Sequence, residues 1–339
     1  MKNNNNLVIP GGYRPNMSLK ETEIAIKSCK DLFEAHLATK LNLTRVSAPL
    51  FVRPETGLND NLNGVETPVS FPVTHMGGAM AEIVHSLAKW KRMALHRYGF
   101  LPGEGLYTDM NAIRKDEELD NLHSLYVDQW DWESIITREI RNERTLADVV
   151  VKIFRVFKIV EDLLDASFPA LAPVLPDEIF FVSTEELLQV WPSCSPKERE
   201  DKITQDHKAV FIRNIGGKLS DGSIHDGRAP DYDDWELNGD IVFWSPVLRR
   251  SFEVSSMGIR VDSPSLEKQC LERNCLERLA FPYHQSVLRD VYPLTMGGGI
   301  GQSRICQFLL QKAHIGEVQS SIWPDDMSEE CMQNGIVLL

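Results

Sequence analysis

The chain has 339 residues, 42% of them hydrophobic, with a formal net charge of -13 and a mean hydropathy of -0.23. That length can bury a full core in one large domain, or in two. No apolar run is long enough to span a bilayer, and the acidic balance lacks the Lys/Arg block that phosphate neutralisation by a nucleic-acid binder requires.

In chain order, the Asn-rich start belongs to an N-terminal extension over residues 1–16, expected to be disordered, and residues 17–339 are expected to form one domain. Ser18-Leu-Lys-Glu21 is a capping box opening a helix over Ser18–Leu41, in which Ile26, Cys29, Phe33 and Leu37 recur at helical spacing. A strand over Arg45–Ala48 ends at Pro49. A helix over Ser86–Tyr98 follows, whose basic cluster from Lys89 to Arg97 reads as a solvated face. Strands are predicted at Gly105–Met110 and Ser124–Glu133, joined through the charged loop Ile113-Arg-Lys-Asp-Glu-Glu-Leu119. Alternation puts Tyr126, Asp128, Trp130 and Trp132 on one face of the second strand and Val127, Gln129, Asp131 and Glu133 on the other. The polar face can meet solvent or line a cleft.

Further strands are predicted at Ile179–Val182, Ala209–Arg213, Gly239–Ser245 and Phe252–Ser256. Further helices are predicted at Thr137–Asp165, Thr184–Trp191, Pro196–His207, Ser263–Arg278, Phe281–Leu288 and Ile300–Gln311. Most strands are separated by turns rather than crossover helices, so a mainly antiparallel sheet with helices packed on it, an α+β fold, is expected. The six cysteines are scattered, without a Cys-x-x-Cys pair, which argues against zinc and for a reducing compartment. No signal-peptide apolar region opens the chain, so a cytoplasmic protein is expected. Near the end, Thr295-Met-Gly-Gly-Gly-Ile-Gly-Gln-Ser-Arg304 runs into an apolar helix. It reads either as a turn before a core helix or as backbone lying flat on a planar ligand, with an arginine placed for phosphate.

Three of these blocks resemble the motifs of class II aminoacyl-tRNA synthetases: the helix–strand–proline element over Ser18–Pro49, the charged loop at Arg114 with its return strand Gln129-Trp-Asp-Trp-Glu133, and the glycines before Arg304. Other blocks resemble, more narrowly, the ammonia-dependent (A-type) asparagine synthetases, the aspartate–ammonia ligases of that superfamily. They are Glu82-Ile-Val-His-Ser-Leu-Ala-Lys-Trp-Lys-Arg92, Gly216-Gly-Lys-Leu-Ser-Asp-Gly222, His225-Asp-Gly-Arg-Ala-Pro-Asp-Tyr-Asp-Asp-Trp235 and Ser255-Ser-Met-Gly-Ile-Arg-Val261. The resemblance runs from about Glu21 to about Pro324 and diverges at Asp116 to Asn121 and Ser263 to Pro282.

It implies a class II antiparallel sheet flanked by helices and a homodimer built on Ser18–Pro49, whose apolar stripe would need a partner surface. The implied reaction activates the side-chain carboxylate of aspartate with ATP to β-aspartyl-AMP and pyrophosphate; ammonia then displaces AMP. Asp60, Arg114 and Gln129 take the catalytic positions. Ser86, Lys91, Asp131, Asp233, Ser256 and Arg260 take the aspartate-binding positions, although an acidic run such as Asp231 to Asp234 is often simply solvated. Arg114, Arg228, Asp240, Glu253, Gly299 and Arg304 take the ATP-binding positions, and Asp240 and Glu253 would hold Mg2+. Free ammonia is the expected donor, since residue 2 is Lys2 rather than a nucleophilic cysteine. No tRNA, other nucleic acid or membrane partner is expected. A small tRNA synthetase and a non-catalytic sensing paralogue are the competing readings; the acidic charge weighs against the first, the retained arginines and acidic pair against the second.

Overall fold

The computed structural model describes residues 7–60 and 66–339. The first helix, α1 (Leu19–Leu41), is capped as the sequence predicts: Ser18 and Glu21 exchange side-chain and backbone bonds, and Asn42 closes it in a left-handed conformation. The chain then forms β1 (Leu43–Arg45), β2 (Phe51–Val52), β3 (Ser70–Val73), β4 (Ala79–Ile83), α2 (Ala88–Tyr98), β5 (Gly105–Ile113) and β6 (Tyr126–Ile135). Next come α3 (Glu143–Ser167), β7 (Phe180–Ser183), α4 (Thr184–Val190), α5 (Pro196–His207), β8 (Ala209–Arg213), β9 (Asp233–Ser245) and β10 (Arg250–Arg260). The last elements are α6 (Ser263–Glu272), α7 (Pro282–Leu288), β11 (Thr295–Gly301), α8 (Gln302–Leu309) and α9 (Asp325–Gln333).

Among the described residues, eight strands form one sheet in the order β1-β5-β6-β11-β10-β9-β8-β7, and β2-β4-β3 form a small second sheet. The centre of the large sheet is antiparallel, as expected; both outermost pairs, β1 with β5 and β7 with β8, are parallel. The first strand sits at Leu43–Arg45 rather than Arg45–Ala48, because the left-handed Asn42 turns the chain straight into pairing with Gly105. The helix predicted over Ser263–Arg278 stops at Glu272, where Asn274 takes a positive φ of 53°. The expected helix start at Thr137 moves to an Asn142 cap, after a short 3-10 turn over Arg138–Ile140.

The stripe on α1 is not a bare surface. Phe33 stacks on Trp130 of β6 at 5.0 Å and meets Phe157 of α3 edge-on at 4.8 Å. Cys29, Phe33 and Leu37 are fully buried within this one chain, so the expectation that the stripe needs a partner subunit is corrected. Burying the Phe33 side chain alone is worth roughly 1.5–3 kcal/mol. The expected disorder of residues 1–16 does not hold for the part described. Leu7, Ile9 and Tyr13 pack on the cluster of Ala313, Met327, Cys331 and Ile336. The Asn121 carboxamide accepts from the Val8 N–H at 2.7 Å and donates to the Val8 carbonyl at 2.9 Å. Residues 1–6, with Asn3 to Asn6, lie outside the described residues.

Candidate active site

β6 carries the alternation read from the sequence. Trp130 and Trp132 enter the core; Gln129, Asp131 and Glu133 point the other way, the first two onto the floor of a cleft of ≈ 300 Å³ and Glu133 fully buried beside it. β11 lies beside it with Gly297 opposite Glu133, Gly299 opposite Asp131 and Gly301 opposite Gln129. A Cβ on Gly297 would collide with the Glu133 carboxylate, and one on Gly299 with the Gln129 carboxamide. On the opposite face, a Cβ on Gly298 would sit 2.7 Å from that of Met257. The glycine run is therefore a strand, not a turn, and its missing side chains make room for the long polar groups of β6.

Four segments bring the rest. From α2, Lys91 is fully buried; its Nζ bonds Asp131 Oδ1 and, at 2.9 Å, the Gly298 carbonyl, with Glu133 at 3.9 Å. Burial lowers its proton affinity, a loss partly offset by Asp131. From the end of β10, Arg260 gives Glu133 a two-pronged bond, Nε to Oε1 at 2.9 Å and Nη2 to Oε2 at 2.7 Å, and bonds Asp233 through Nη1. Burial works against ionisation of Glu133, but the Arg260 and Lys91 charges outweigh it and hold this carboxyl below its usual range. Glu133 was missed as a site residue in the sequence, although its place on the Gln129 and Asp131 face was the signal that could have found it.

The loop before β9 adds Arg228, whose Nη2 donates to Asp240 Oδ1 at 2.5 Å and whose Nε lies 3.7 Å from Asp233. Asp240 and Glu253 come from neighbouring strands. Burial pushes Asp240 up, Arg228 pulls it down, Glu253 pushes it up again, and its pKa rises to about 7. Glu253 accepts from Ser256 at 3.0 Å; Arg304, at the start of α8, reaches the Glu253 carbonyl at 3.1 Å and its carboxylate at 3.8 Å. On the far wall Asp60 accepts from Ser86 Oγ at 2.9 Å. Its neighbour Asn59 accepts from the Asp60 and His85 N–H groups, both at 2.9 Å. Arg114 faces Glu117 at 3.9 Å, and its buried Nε has no hydrogen-bond partner among the described residues.

Every site residue expected from the sequence lines this one cleft: Asp60, Ser86, Lys91, Arg114, Gln129, Asp131, Arg228, Asp233, Asp240, Glu253, Ser256, Arg260, Gly299 and Arg304. Residues 61–65, which follow Asp60, lie outside the described residues. Two surface readings are corrected. Asp231, Asp233 and Asp234 are buried, not solvated, and so are Lys89, Lys91 and Arg92 of the basic cluster. Asp116 is exposed and paired with Lys115; it is Glu117 that lines the cleft beside Arg114.

A family model described as aspartate-ammonia ligase matches residues 20–335. Curated proteins named aspartate–ammonia ligase are similar along the whole chain. The one from Ruminiclostridium cellulolyticum is 61% identical over 335 residues, 99% of this chain and 100% of its own length. The one from Clostridium tetani is 60% identical over 333 residues, 98% of each chain. Among solved structures, the asparaginyl-tRNA synthetase of Pyrococcus horikoshii complexed with asparaginyl-adenylate superposes with a TM-score of 0.65 at 13% identity, covering 90% of this chain and 70% of that one. The aspartyl-tRNA synthetase of Entamoeba histolytica gives 0.60 at 16% identity, covering 88% and 58%. The fold is that of the class II synthetases.

Proposed function

Since the chain belongs to the aspartate–ammonia ligase family, enzymes that make asparagine from aspartate and ammonia, we propose that it works through a β-aspartyl-adenylate and releases AMP and pyrophosphate. The observation that carries this is the joining, in one cleft, of two lightly paired arginines with the carboxylates of a buried Asp240 and a part-exposed Glu253. A carboxylate is a poor acyl donor because its oxygen leaves badly, and adenylation supplies a good leaving group. In-line attack on the α-phosphate gathers negative charge on phosphate oxygens. Arg114 stabilises that charge at the α-phosphate and Arg304 at the γ-phosphate end or against the adenine, each with a planar fork that stays ionised. Gly299 leaves the floor open beneath the nucleotide, and Arg228 offers a further cation from the wall.

Aspartate lies across β6. Lys91 and Arg260 supply positive charge for its α-carboxylate; Asp131 and Asp233 supply acceptors for its ammonium; Ser86 and Ser256 add hydroxyls. Glu133 keeps Arg260 in place. Gln129 orients the acyl-adenylate. Asp60 draws in ammonium and accepts its proton, because only the neutral amine is a nucleophile. A pyrophosphate-release assay with aspartate, ATP and ammonium tests the reading. Release that needs tRNA, or none with all three substrates, would sink it.

Asp240 and Glu253 fit a divalent cation. Asp240 is buried, with the partly exposed Glu253 carboxylate on the neighbouring strand, and burial with the like charge of Glu253 outweighs Arg228 in raising Asp240 to about 7. Hard oxygen donors of this kind suit Mg2+, which when bound would neutralise charge on the phosphates. The ligand must shed its proton to bind metal. As pH falls through about 7, the proton therefore competes. Apparent Mn2+ affinity without nucleotide should weaken about tenfold per pH unit below that point. Titrations at several pH values check this, and Asp240→Asn should abolish the dependence.

We also propose that residues 17–339 act as one domain, that the enzyme is a homodimer, and that it works in the cytoplasm, where ATP and aspartate are supplied. With the inner stripe of α1 covered, support for the dimer moves to its outer side, where Leu19 and Ile24 are each 51% exposed. Sedimentation at micromolar concentration should give a dimer; a monomer there would remove this proposal.

A further inference from the structure

We propose that Asp231 and His284 are a positioning pair that fixes the distance between the loop carrying Arg228 and Asp233 and the turn carrying Asp60. The inference rests on the adenylate reading above and adds residues that do not line the cleft. Asp231 stands between Arg228 and Asp233 in the chain, and both its side chain and that of His284 are 1% exposed. Asp231 Oδ2 accepts from His284 Nε2 at 2.9 Å and from Lys89 Nζ at 3.1 Å, with Arg278 at 3.6 Å. Burial alone would favour the neutral acid, but Lys89, His284 and Arg278 together hold the carboxyl far below its usual range. An ionised carboxylate only accepts, so His284 carries its hydrogen on Nε2.

The other edge of the imidazole faces the Asp60 turn. Among the described residues its buried Nδ1 has no hydrogen-bond partner, and a Cβ on Gly57 would lie 3.3 Å from it and 2.6 Å from the Phe281 Cβ. Gly57 has a φ of +70° and opens the run Leu58-Asn59-Asp60. The ring is thus a spacer, one edge bonded to the aspartate-binding loop and the other packed on the catalytic turn. Lys89 ties in α2 two residues before Lys91. On its far side the same loop is gripped by Gln269 of α6, whose Nε2 donates to the Pro230 carbonyl at 2.9 Å and the Asp233 carbonyl at 3.0 Å. Gln269 sets the path of the loop; Asp231 and His284 set its distance from Asp60.

A buried charged cluster is an inefficient way to gain stability, since apolar groups of the same volume fill such a space as well or better. A fixed spacing is what it gives instead. Aspartate held near Asp233 and Arg260 has to present its acyl carbon to an amine held near Asp60, and a displacement of ~1 Å costs such a step about a hundredfold.

The test measures asparagine formation and aspartate-dependent ATP–pyrophosphate exchange side by side on the full-length enzyme, with thermal melting of each variant. In Asp231→Asn, asparagine formation should fall about a hundredfold and exchange by about tenfold or less, a split expected of misplacement in the second step. His284→Gln, whose amide can still donate to Asp231, should stay near wild type, while His284→Leu should behave like Asp231→Asn. A structural role alone would lower both activities together, in step with the folded fraction, and that result overturns the proposal. So does equal activity of His284→Gln and His284→Leu, a comparison that stands even if Asp231→Asn does not fold. Wild-type enzyme without aspartate-dependent exchange would overturn the adenylate route instead, and the glutamine–leucine comparison of asparagine formation would still decide the pair.

Discussion

Arg114→Ala and Arg304→Ala should each yield a folded protein whose pyrophosphate release falls by roughly two to three orders of magnitude, the loss expected for one electrostatic contact to the transition state. Both side chains are about one-fifth to one-quarter exposed, and their carboxylate neighbours lie at 3.8 Å and 3.9 Å. Pairs this long and this wet contribute about 0–1 kcal/mol to stability, so the fold should tolerate either change. The catalytic loss, about 3–4 kcal/mol, is several times larger and falls on the rate. Lysine at either place keeps the charge but not the two-pronged geometry and should restore only part of it. Near-normal turnover in either folded alanine variant would remove that arginine from the mechanism.

Asp60→Asn should separate the two half-reactions. The side chain is held by Ser86 Oγ at 2.9 Å, and its own carbonyl contacts His85 Nδ1 at 3.1 Å. An asparagine carboxamide can keep the Ser86 bond through its oxygen, so the turn should survive. What it loses is the charge that attracts ammonium and the basicity that takes its proton; a general base of this kind contributes about 10²–10⁴-fold. Aspartate-dependent exchange without ammonia should persist in part while asparagine formation falls much further. Raising the pH should recover some formation by supplying free ammonia. If both activities fall together and pH gives no recovery, Asp60 holds the substrate amino group and the base is another residue.

The site was more legible in the sequence than the scaffold around it. Strand β8 and helix α5 fall where local pattern puts them, because their caps and alternation are local. Gln129, Asp131 and Glu133 share a face by strand geometry alone. The glycine run hid its strand because glycine has no strand preference of its own; its pairing is decided by Glu133 and Gln129 far away in sequence. β2 is two residues long and leaves no periodicity to read. The α1 stripe announced that it would be covered, not by what; Trp130 and Phe157 of the same chain cover it. The docking of residues 7–16 combines Leu7, Ile9 and Tyr13 on a distant apolar cluster with bonds to Asn121 and Glu317, contacts far apart in sequence that no local pattern marks.

The strand order has a consequence for synthesis on the ribosome. β11 lies between β6 and β10, yet it is made after both. Until residue 301 has emerged, a growing chain can form only two half-sheets, β1-β5-β6 and β10-β9-β8-β7, each with one open strand edge that β11 covers in the finished enzyme. Open hydrophobic edges of that kind template pairing with other chains. Ribosome-bound chains stopped before Thr295 should be protease-sensitive along β6 and β10, with chains extended past α9 resistant; equal resistance of both would show that the halves close without their middle strand.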